Sequence, residues 1–443
     1  MFASVSKSIK SVNYKMLVSL LFLGLCPTVY TTVRIFFLGQ LPGDGAYSIA
    51  GQLGWVNRLY EILSEAVILP LFYFVGKKIN ERDELTNRVK TGLLVTFCVF
   101  GMLSLIVSVF TYPMLKLMAA DESIIAQSAT YIRIESVANI ISMLSNFGLV
   151  VLITLNKEKY LYALTAGKVI MCLISDTFLV SALPVSENMG VNGIGVSNIL
   201  VNTILFFITV AILHKENVKV FSAGKLSFGW LKEFGTVGGI SGLESLIRNL
   251  AYMLMIVRMV NVVNEQGTYW VANNFIWGWL LLPVTQLAEL IKSDMSTVKN
   301  AIYQKTTAYF VITAAVCAFW CASIPLWKPF MTYVLQYEEV EKLFSLVLLL
   351  LGFYMLYAFQ NVFDATFYGL GKTQYMVFES IVTNCVYYGG AFILYVTGVW
   401  TPTLSGIALL FGIGVAFDSL VSLVAYIYLL NKHKSLRIDS AQN

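Results

Sequence analysis

The chain has 443 residues, of which 58% are hydrophobic and 12% charged, with a formal net charge of +5. Soluble domains carry about twice that charged fraction. The composition therefore argues against a soluble enzyme and for an all-α polytopic membrane protein embedded in a lipid bilayer. The small positive surplus sits in loops and does not imply nucleic acid.

Apolar runs long enough to cross roughly 30 Å of hydrocarbon recur along the whole chain. Twelve transmembrane helices are predicted. The first six lie at about 14–39, 46–76, 89–111, 122–155, 160–183 and 192–214, the second six at about 230–262, 266–295, 301–326, 339–369, 374–398 and 402–430. The first follows "SVSKSIKSVNYK" with no small-residue cleavage site after it, and is read as a retained helix.

Span 1 carries Arg34 five residues before its outer end. Span 2 carries "NRLYEILSE", Asn57 to Glu65. Arg58, Glu61 and Glu65 are spaced i, i+3, i+7 and form one helical stripe with Asn57 beside it. A charge at mid-span costs roughly 2.5–3.5 kcal/mol on insertion scales, so this stripe must face protein or a wet cavity. One arginine cannot neutralise two glutamates, and the surplus acid calls for a proton, a cation or a second arginine. Span 5 carries Lys168 and, two turns outward on nearly the same face, Asp176. At 1.5 Å rise per residue Asp176 and Arg34 share a depth in the outer half. Arg34 can thus pair with Asp176 or with Glu61 and Glu65. The intramembrane charges of the first half are read as Arg34, Arg58, Glu61, Glu65, Lys168 and Asp176, three of each sign.

In the second half, Glu244 and Arg248 of span 7 have the i, i+4 spacing of a salt bridge. Asn273, Asn274, Trp277 and Trp279 of span 8 suit a polar, aromatic-lined cavity. Asp364 and Glu379 lie near the inner ends of spans 10 and 11 and are expected to snorkel. Asp418 sits near the middle of span 12 with no basic residue in its own helix. The six cysteines all lie in apolar runs and read as small fillers. No spacing offers a metal site, a phosphate loop or a nucleophile elbow, so neither an enzyme nor a cofactor is expected.

Lys and Arg cluster before span 1, in every second loop and after span 12, while the alternate loops hold the acids. The positive-inside rule then places both termini in the cytoplasm of a cell membrane. Short segments recur at a nearly constant offset. "ILP" at Ile68–Pro70 answers "LLP" at Leu281–Pro283, a shift of 213, and "TVR" at Thr32–Arg34 answers "LIR" at Leu246–Arg248, a shift of 214. "NKEKY" ending at Tyr160 answers "GKTQY" ending at Tyr375, and "NGIGV" at Asn192–Val196 answers "SGIAL" at Ser405–Leu409, shifts of 215 and 213. These imply a parallel duplication into two six-helix lobes, 1–220 with spans 1–6 and 221–443 with spans 7–12, related by a pseudo-twofold along the membrane normal. A cytoplasmic linker at about 214–232 joins them.

Three segments carry a family resemblance. "SDTFLV…NMGVNGIGVSNIL", Ser175 to Leu200, "VGGISGLESLIRNL", Val237 to Leu250, and "FYGLGKTQY", Phe367 to Tyr375, resemble segments of the multidrug and toxic compound extrusion (MATE) family. Its superfamily also includes flippases for lipid-linked polysaccharide and peptidoglycan precursors. The resemblance covers most of the chain and implies alternating access, with membrane carboxylates exchanging H⁺ or Na⁺ for an exported organic compound. Asp176 falls on the family's span-5 acid and Glu244 on or near its span-7 acid. In "VRIFFLG" Arg34 stands where a span-1 acid is expected, and the span-10 acid falls near Ala358, almost two turns from Asp364. Both departures count against sodium coordination in the family's manner.

Three functions remain in contention. The first is a cation-coupled antiporter exporting small organic or drug-like molecules, functional as a monomer. Its ion-coupling candidates are Asp176, Glu61, Glu65, Glu244 and Asp418, and its cavity or charge-gate candidates are Arg34, Arg58, Arg248, Asn57, Asn273, Asn274 and Trp277. The second is a flippase for an anionic lipid-linked oligosaccharide, whose pyrophosphate Arg34, Arg58 and Arg248 would clamp. The third, a non-transporting scaffold or receptor, is disfavoured by the cost of so much buried charge.

Overall fold

The structure is a computed structural model. It describes residues 6, 8–41, 45–68, 70–76, 78, 81–155, 157–221, 226–298, 301–372 and 374–442, and the side chains of all these except 72, 73, 76, 158, 237, 240, 244, 297 and 432–442.

Every described element is helical. The first half comprises α1 (Tyr14–Gly39), α2 (Gly45–Val67), the short α3 (Leu71–Gly76), α4 (Arg82–Leu117), α5 (Glu122–Thr154), α6 (Glu158–Leu179) and α7 (Val191–Lys215). The second begins with α8 (Leu231–Tyr252), a π-helical turn at Met253–Val257 and α9 (Arg258–Val262). α10 (Gln266–Phe275), a π turn at Ile276–Leu280 and α11 (Leu282–Thr297) follow. Next come α12 (Ala301–Gln304), α13 (Thr306–Tyr333) and α14 (Val340–Gly369). The chain ends with α15 (Gln374–Ile381), a π turn at Val382–Tyr388, α16 (Gly389–Val396) and α17 (Leu404–Gln442).

Helix is the only open-chain solution here, because hydrocarbon offers no partner to a backbone amide. Among the described residues ten helices are long and apolar enough to span a bilayer, and the bent pair Gln266–Leu280 and Leu282–Ser296, angled by 51°, makes eleven. The remaining expected span is α2, whose length suffices but which carries Arg58, Glu61 and Glu65. The chain is thus a multi-pass membrane protein. Side chains such as Met102, Leu105, Phe319 and Val424 stand more than 60% exposed on these helices, as lipid-facing residues do.

Several expected boundaries move for local reasons. Span 2 is divided between α2, which ends at Val67, and α3, which begins at Leu71 just after Pro70. Span 3 starts at Arg82, with acidic Asp83 and Glu84 in its first turn complementing the helix dipole. It kinks at Phe110 (φ −95°, ψ 15°), three residues before Pro113. Span 9 runs through Pro325 and Pro329 to Tyr333.

Packing divides the chain into two compact units, Val29–Val271 and Met1–Thr28 with Ala272–Asn443. The duplication expected at 220/221 is a division of the sequence, whereas this is a division by contact. The first unit is built on Trp55, Tyr60, Phe74, Phe100, Phe147 and Trp230. The second is built on Leu290, Ile291, Tyr309, Val362, Phe367 and Leu429. In the first unit α8 lies directly on α2. A Cβ at Gly238 would meet the Ala66 carbonyl oxygen at 2.1 Å, and one at Gly242 would meet the Ala66 Cβ at 2.8 Å. Two glycines four apart thus let the backbones touch, the small-residue packing that works without a hydrophobic driving force.

Candidate functional site

Within the Val29–Val271 unit lies a cavity of about 270 Å³. Its polar lining includes Arg34, Asn57, Glu135, Asn139, Lys168 and Asn198, with Tyr30, Tyr131 and Trp270 as aromatic walls. Six helices contribute these groups (α1, α2, α5, α6, α7 and α10), so no single segment of sequence contains the site.

A buried relay stands behind the lining. Arg34 Nε donates to Asp176 Oδ2 at 2.6 Å and Nη2 to Oδ1 at 3.3 Å, a two-pronged pair. Arg34 Nη2 also donates to Asn198 Oδ1 at 2.8 Å, and Asn198 Nδ2 donates to Glu135 Oε1 at 2.7 Å. Arg34 lies 5.2 Å from the Tyr30 ring centroid, a cation–π distance. Asp176 is fully buried, Glu135 is 3% exposed and Arg34 is 9% exposed. The open choice for Arg34 is thereby decided by geometry: it pairs with Asp176 and not with Glu61 or Glu65.

Those glutamates belong to a second network. Arg58 Nη1 meets Glu61 Oε2 at 2.6 Å, and Arg248 Nη2 meets Glu65 Oε1 at 2.5 Å and Glu61 Oε1 at 3.8 Å. Arg58 also lies 4.8 Å from the centroid of the Tyr252 ring. The surplus acid of span 2 is therefore balanced by Arg248 of α8, brought there by the Gly238–Gly242 contact. Side chains in this network are 26–41% exposed, so it is a wet charge cluster and not a sealed one. The side chain of Glu244, the other partner expected for Arg248, lies outside the described residues.

The second unit holds a third network. Gln360 of α14 donates from one nitrogen to Glu379 Oε1 and to Asp418 Oδ2, both at 2.7 Å. Thr383, held in the π turn after α15, donates to Asp418 Oδ1 at 2.5 Å, and Ser422 donates to Asp364 Oδ1 at 2.6 Å. Asp418, unexplained within its own helix, is thus held by two neighbouring segments. Glu379 is 4% exposed, which corrects the expectation that it snorkels. Asp364 likewise bonds inward to Ser422.

Asn273, Asn274 and Trp277 do not line the cavity. Trp277 is 40% exposed and packs edge-on to Tyr354 and Tyr357. Six cysteines are free thiols, with only Cys172 and Cys317 buried.

The charge census from the sequence omitted Arg133 and Glu135. Glu135 had a readable signal, an acid thirteen residues inside a long apolar helix. Asn198, which joins Arg34 to Glu135, had none, because an asparagine in a membrane helix reveals no partner.

No family model matches the sequence, and no curated protein matches it. Solved structures do. One is an inward-facing multidrug resistance MATE transporter of the MOP superfamily, 18% identical, with a TM-score of 0.69 over 92% of this chain and 99% of that one. The fold is that of the MATE transporters. An outward-facing multidrug resistance MATE structure matches at 15% identity and TM-score 0.67, over 97% of this chain and 98% of that one. A MOP-superfamily transporter from Pyrococcus furiosus, described as having a binding pocket whose reverse polarity suggests a different function, matches at 16% identity. Its TM-score is 0.68, over 97% of this chain and 98% of that one.

Proposed function

We propose that this protein is a secondary active transporter that works by alternating access, exchanging H⁺ or Na⁺ for a small organic solute that it exports across a cell membrane. The observation that carries this reading is a polar cavity inside membrane helices, backed by a fully buried carboxylate. Buried charge is expensive and is retained along ion and solute pathways. Two repeat-related lobes, 1–220 and 221–443, supply the rocking elements, both termini are cytoplasmic, and a monomer contains the whole pathway.

Asp176 and Glu135 are the acids at which a cation can act on substrate. A cation reaching either carboxylate competes with the Arg34 guanidinium, which stays protonated. Loss of the Arg34–Asp176 pair then frees Arg34 toward the cavity, and solute binding in one state and cation binding in the other give exchange. Arg58, Glu61, Glu65 and Arg248 tie α2 to α8 and act as a charge gate between segments that must part.

Purified protein in proteoliposomes, given imposed pH or Na⁺ gradients and a panel of cationic, neutral and anionic organic dyes, tests the reading. Gradient-driven uptake of at least one dye supports it, and no uptake with any gradient defeats it. A flippase for an anionic lipid-linked oligosaccharide is the second reading, favoured by two cations, Arg34 and Lys168, in the cavity lining. Movement of a fluorescent lipid pyrophosphate in place of the dyes selects it.

A further inference from the structure

Three carboxylic acids from three helical segments converge in the Ala272–Asn443 unit, and among the described residues no cation is hydrogen-bonded to any of them. Asp364 comes from α14, Glu379 from α15 and Asp418 from α17. One amide nitrogen, Gln360 Nε2, lies 2.7 Å from an oxygen of both Glu379 and Asp418, so the two acids are no more than two hydrogen-bond lengths apart. Gln360 is fixed in turn by Ser419, which donates to its Oε1 at 2.8 Å. The charges of Asp364 and Asp418 both act on Glu379.

The valences do not close. Both oxygens of Asp418 receive a donor, and Asp364 receives Ser422. Glu379 Oε2 is buried and has no hydrogen-bond partner. The acids that act on Glu379 are Asp418 and Asp364, whose ionised oxygens accept and cannot donate, and the nearby Ser422 hydroxyl already donates to Asp364. An acceptor facing acceptors is repulsive, and a buried unpaired carboxylate oxygen is an unfavourable state. One added hydrogen removes both faults: bound to Oε2, it makes Glu379 a donor toward the facing acid. The basic group whose charge reaches the cluster is Lys292 of α11, which acts on Asp364 and is itself paired with Glu289 at 2.7 Å. Among the described residues no three His, Cys, Asp or Glu side chains converge as metal coordination requires.

We infer that Glu379 and Asp418 form a proton-binding site in which one proton sits on Glu379 Oε2 and is shared with the facing carboxylate. The step is a simple protonation: H⁺ adds to the Glu379 carboxylate and leaves from it, with no other bond changed. Thr383 makes the site sensitive to the helix that carries it. It donates to Asp418 from a π turn, a segment whose extra residue shifts register when its helix moves. Movement of α15 relative to α17 breaks the Thr383 contact and alters how well Asp418 can share the proton. As the coupling ion of the transporter, the proton's physiological meaning rests on the reading above; its presence in the folded protein does not.

Infrared difference spectroscopy on the full-length protein in lipid nanodiscs tests this without a transport assay. The wild-type protein is expected to show the carbonyl-stretch band of a buried protonated carboxylic acid, insensitive to Na⁺, and Glu379→Gln to lose that band. Because Gln places a donor where the protonated acid has one, Glu379→Gln is expected to fold normally. Thr383→Val, which leaves both acids in place, is expected to keep the band and shift its frequency. A band that survives in Glu379→Gln, or displacement of the band by Na⁺, overturns the inference. Loss of gradient-driven transport with the band intact defeats the transporter reading and leaves the proton site standing.

Discussion

Arg34 and Asp176 are 142 residues apart in sequence, and their side chains meet at 2.6 Å in the interior of one unit. Breaking such a pair from one side strands a buried charge, at a cost of roughly 3–5 kcal/mol, whereas removing both partners costs far less. Arg34→Ala and Asp176→Ala are each expected to lower the thermal stability of the purified protein strongly. Arg34→Leu combined with Asp176→Leu is expected to recover most of it. Equal losses in the single and double variants, measured by unfolding in detergent, would show that the pair does not carry the effect.

The contact of α8 with α2 makes a prediction about space alone. Gly238→Ala and Gly242→Ala place a methyl group against Ala66 and are expected to destabilise the unit, by roughly 1–3 kcal/mol of overpacking. Gly239→Ala, which meets nothing within 4 Å, is expected to be silent. Thermal unfolding of the three variants side by side checks the order.

Arg248 and Glu65 are half-exposed, so their pair contributes roughly 0.2–1 kcal/mol to stability. Its expected weight is functional. Arg248→Glu and Glu65→Arg are each expected to impair transport, and the swapped double variant to regain much of it. Failure of the swap with both singles impaired would assign the loss to Arg58 and Glu61.

Lys168 lines the cavity and has no ion-pair partner among the described residues. A charge-assisted hydrogen bond contributes roughly 1.5–3 kcal/mol, or about 10- to 100-fold in affinity. Lys168→Ala is expected to weaken binding of solutes that carry a carboxylate or phosphate by that factor and to leave neutral solutes unchanged. Titration calorimetry with matched acid and amide compounds reads the difference.

Outside the membrane helices, Glu216 meets Lys157 at 2.6 Å and Tyr160 at 3.3 Å, joining the end of α7 to the start of α6. The hydrogen bond from Lys157 holds the Glu216 carboxyl below its ordinary range. A depressed carboxyl stabilises the folded state above its unfolded-state value and loses that contribution as pH falls through the folded-state value. The tether should therefore persist at neutral pH and loosen only as the pH falls below the ordinary glutamate range. Hydrogen exchange at residues 157–160 and 213–218, compared with Glu216→Gln at each pH, is expected to show a difference that vanishes in acid.

Arg34 and Arg248 are related by the offset of 214. One is 9% exposed and pairs with Asp176 of α6, and the other, half-exposed, pairs with Glu65 of α2. The two arginines at this offset share a residue type and differ in partner.

The class of the protein, the existence of its helical spans and most of its intramembrane charges, Arg133 and Glu135 excepted, were determined by the sequence alone. Hydrocarbon imposes one-dimensional constraints: a fixed length, a fixed periodicity and a high cost for every charge. Those constraints are local, so a linear reading recovers them, including the polar stripe of α2. Which charge meets which was decided only by tertiary structure. Arg34 had two carboxylate sets within reach by depth. Arg34 meets Asp176 of α6 together with Asn198 of α7, and Arg248 meets Glu65 where two glycines let α8 touch α2. Lateral arrangement of helices in a membrane rests on small-residue contacts and polar bonds between distant segments, and neither has a period that a sequence displays.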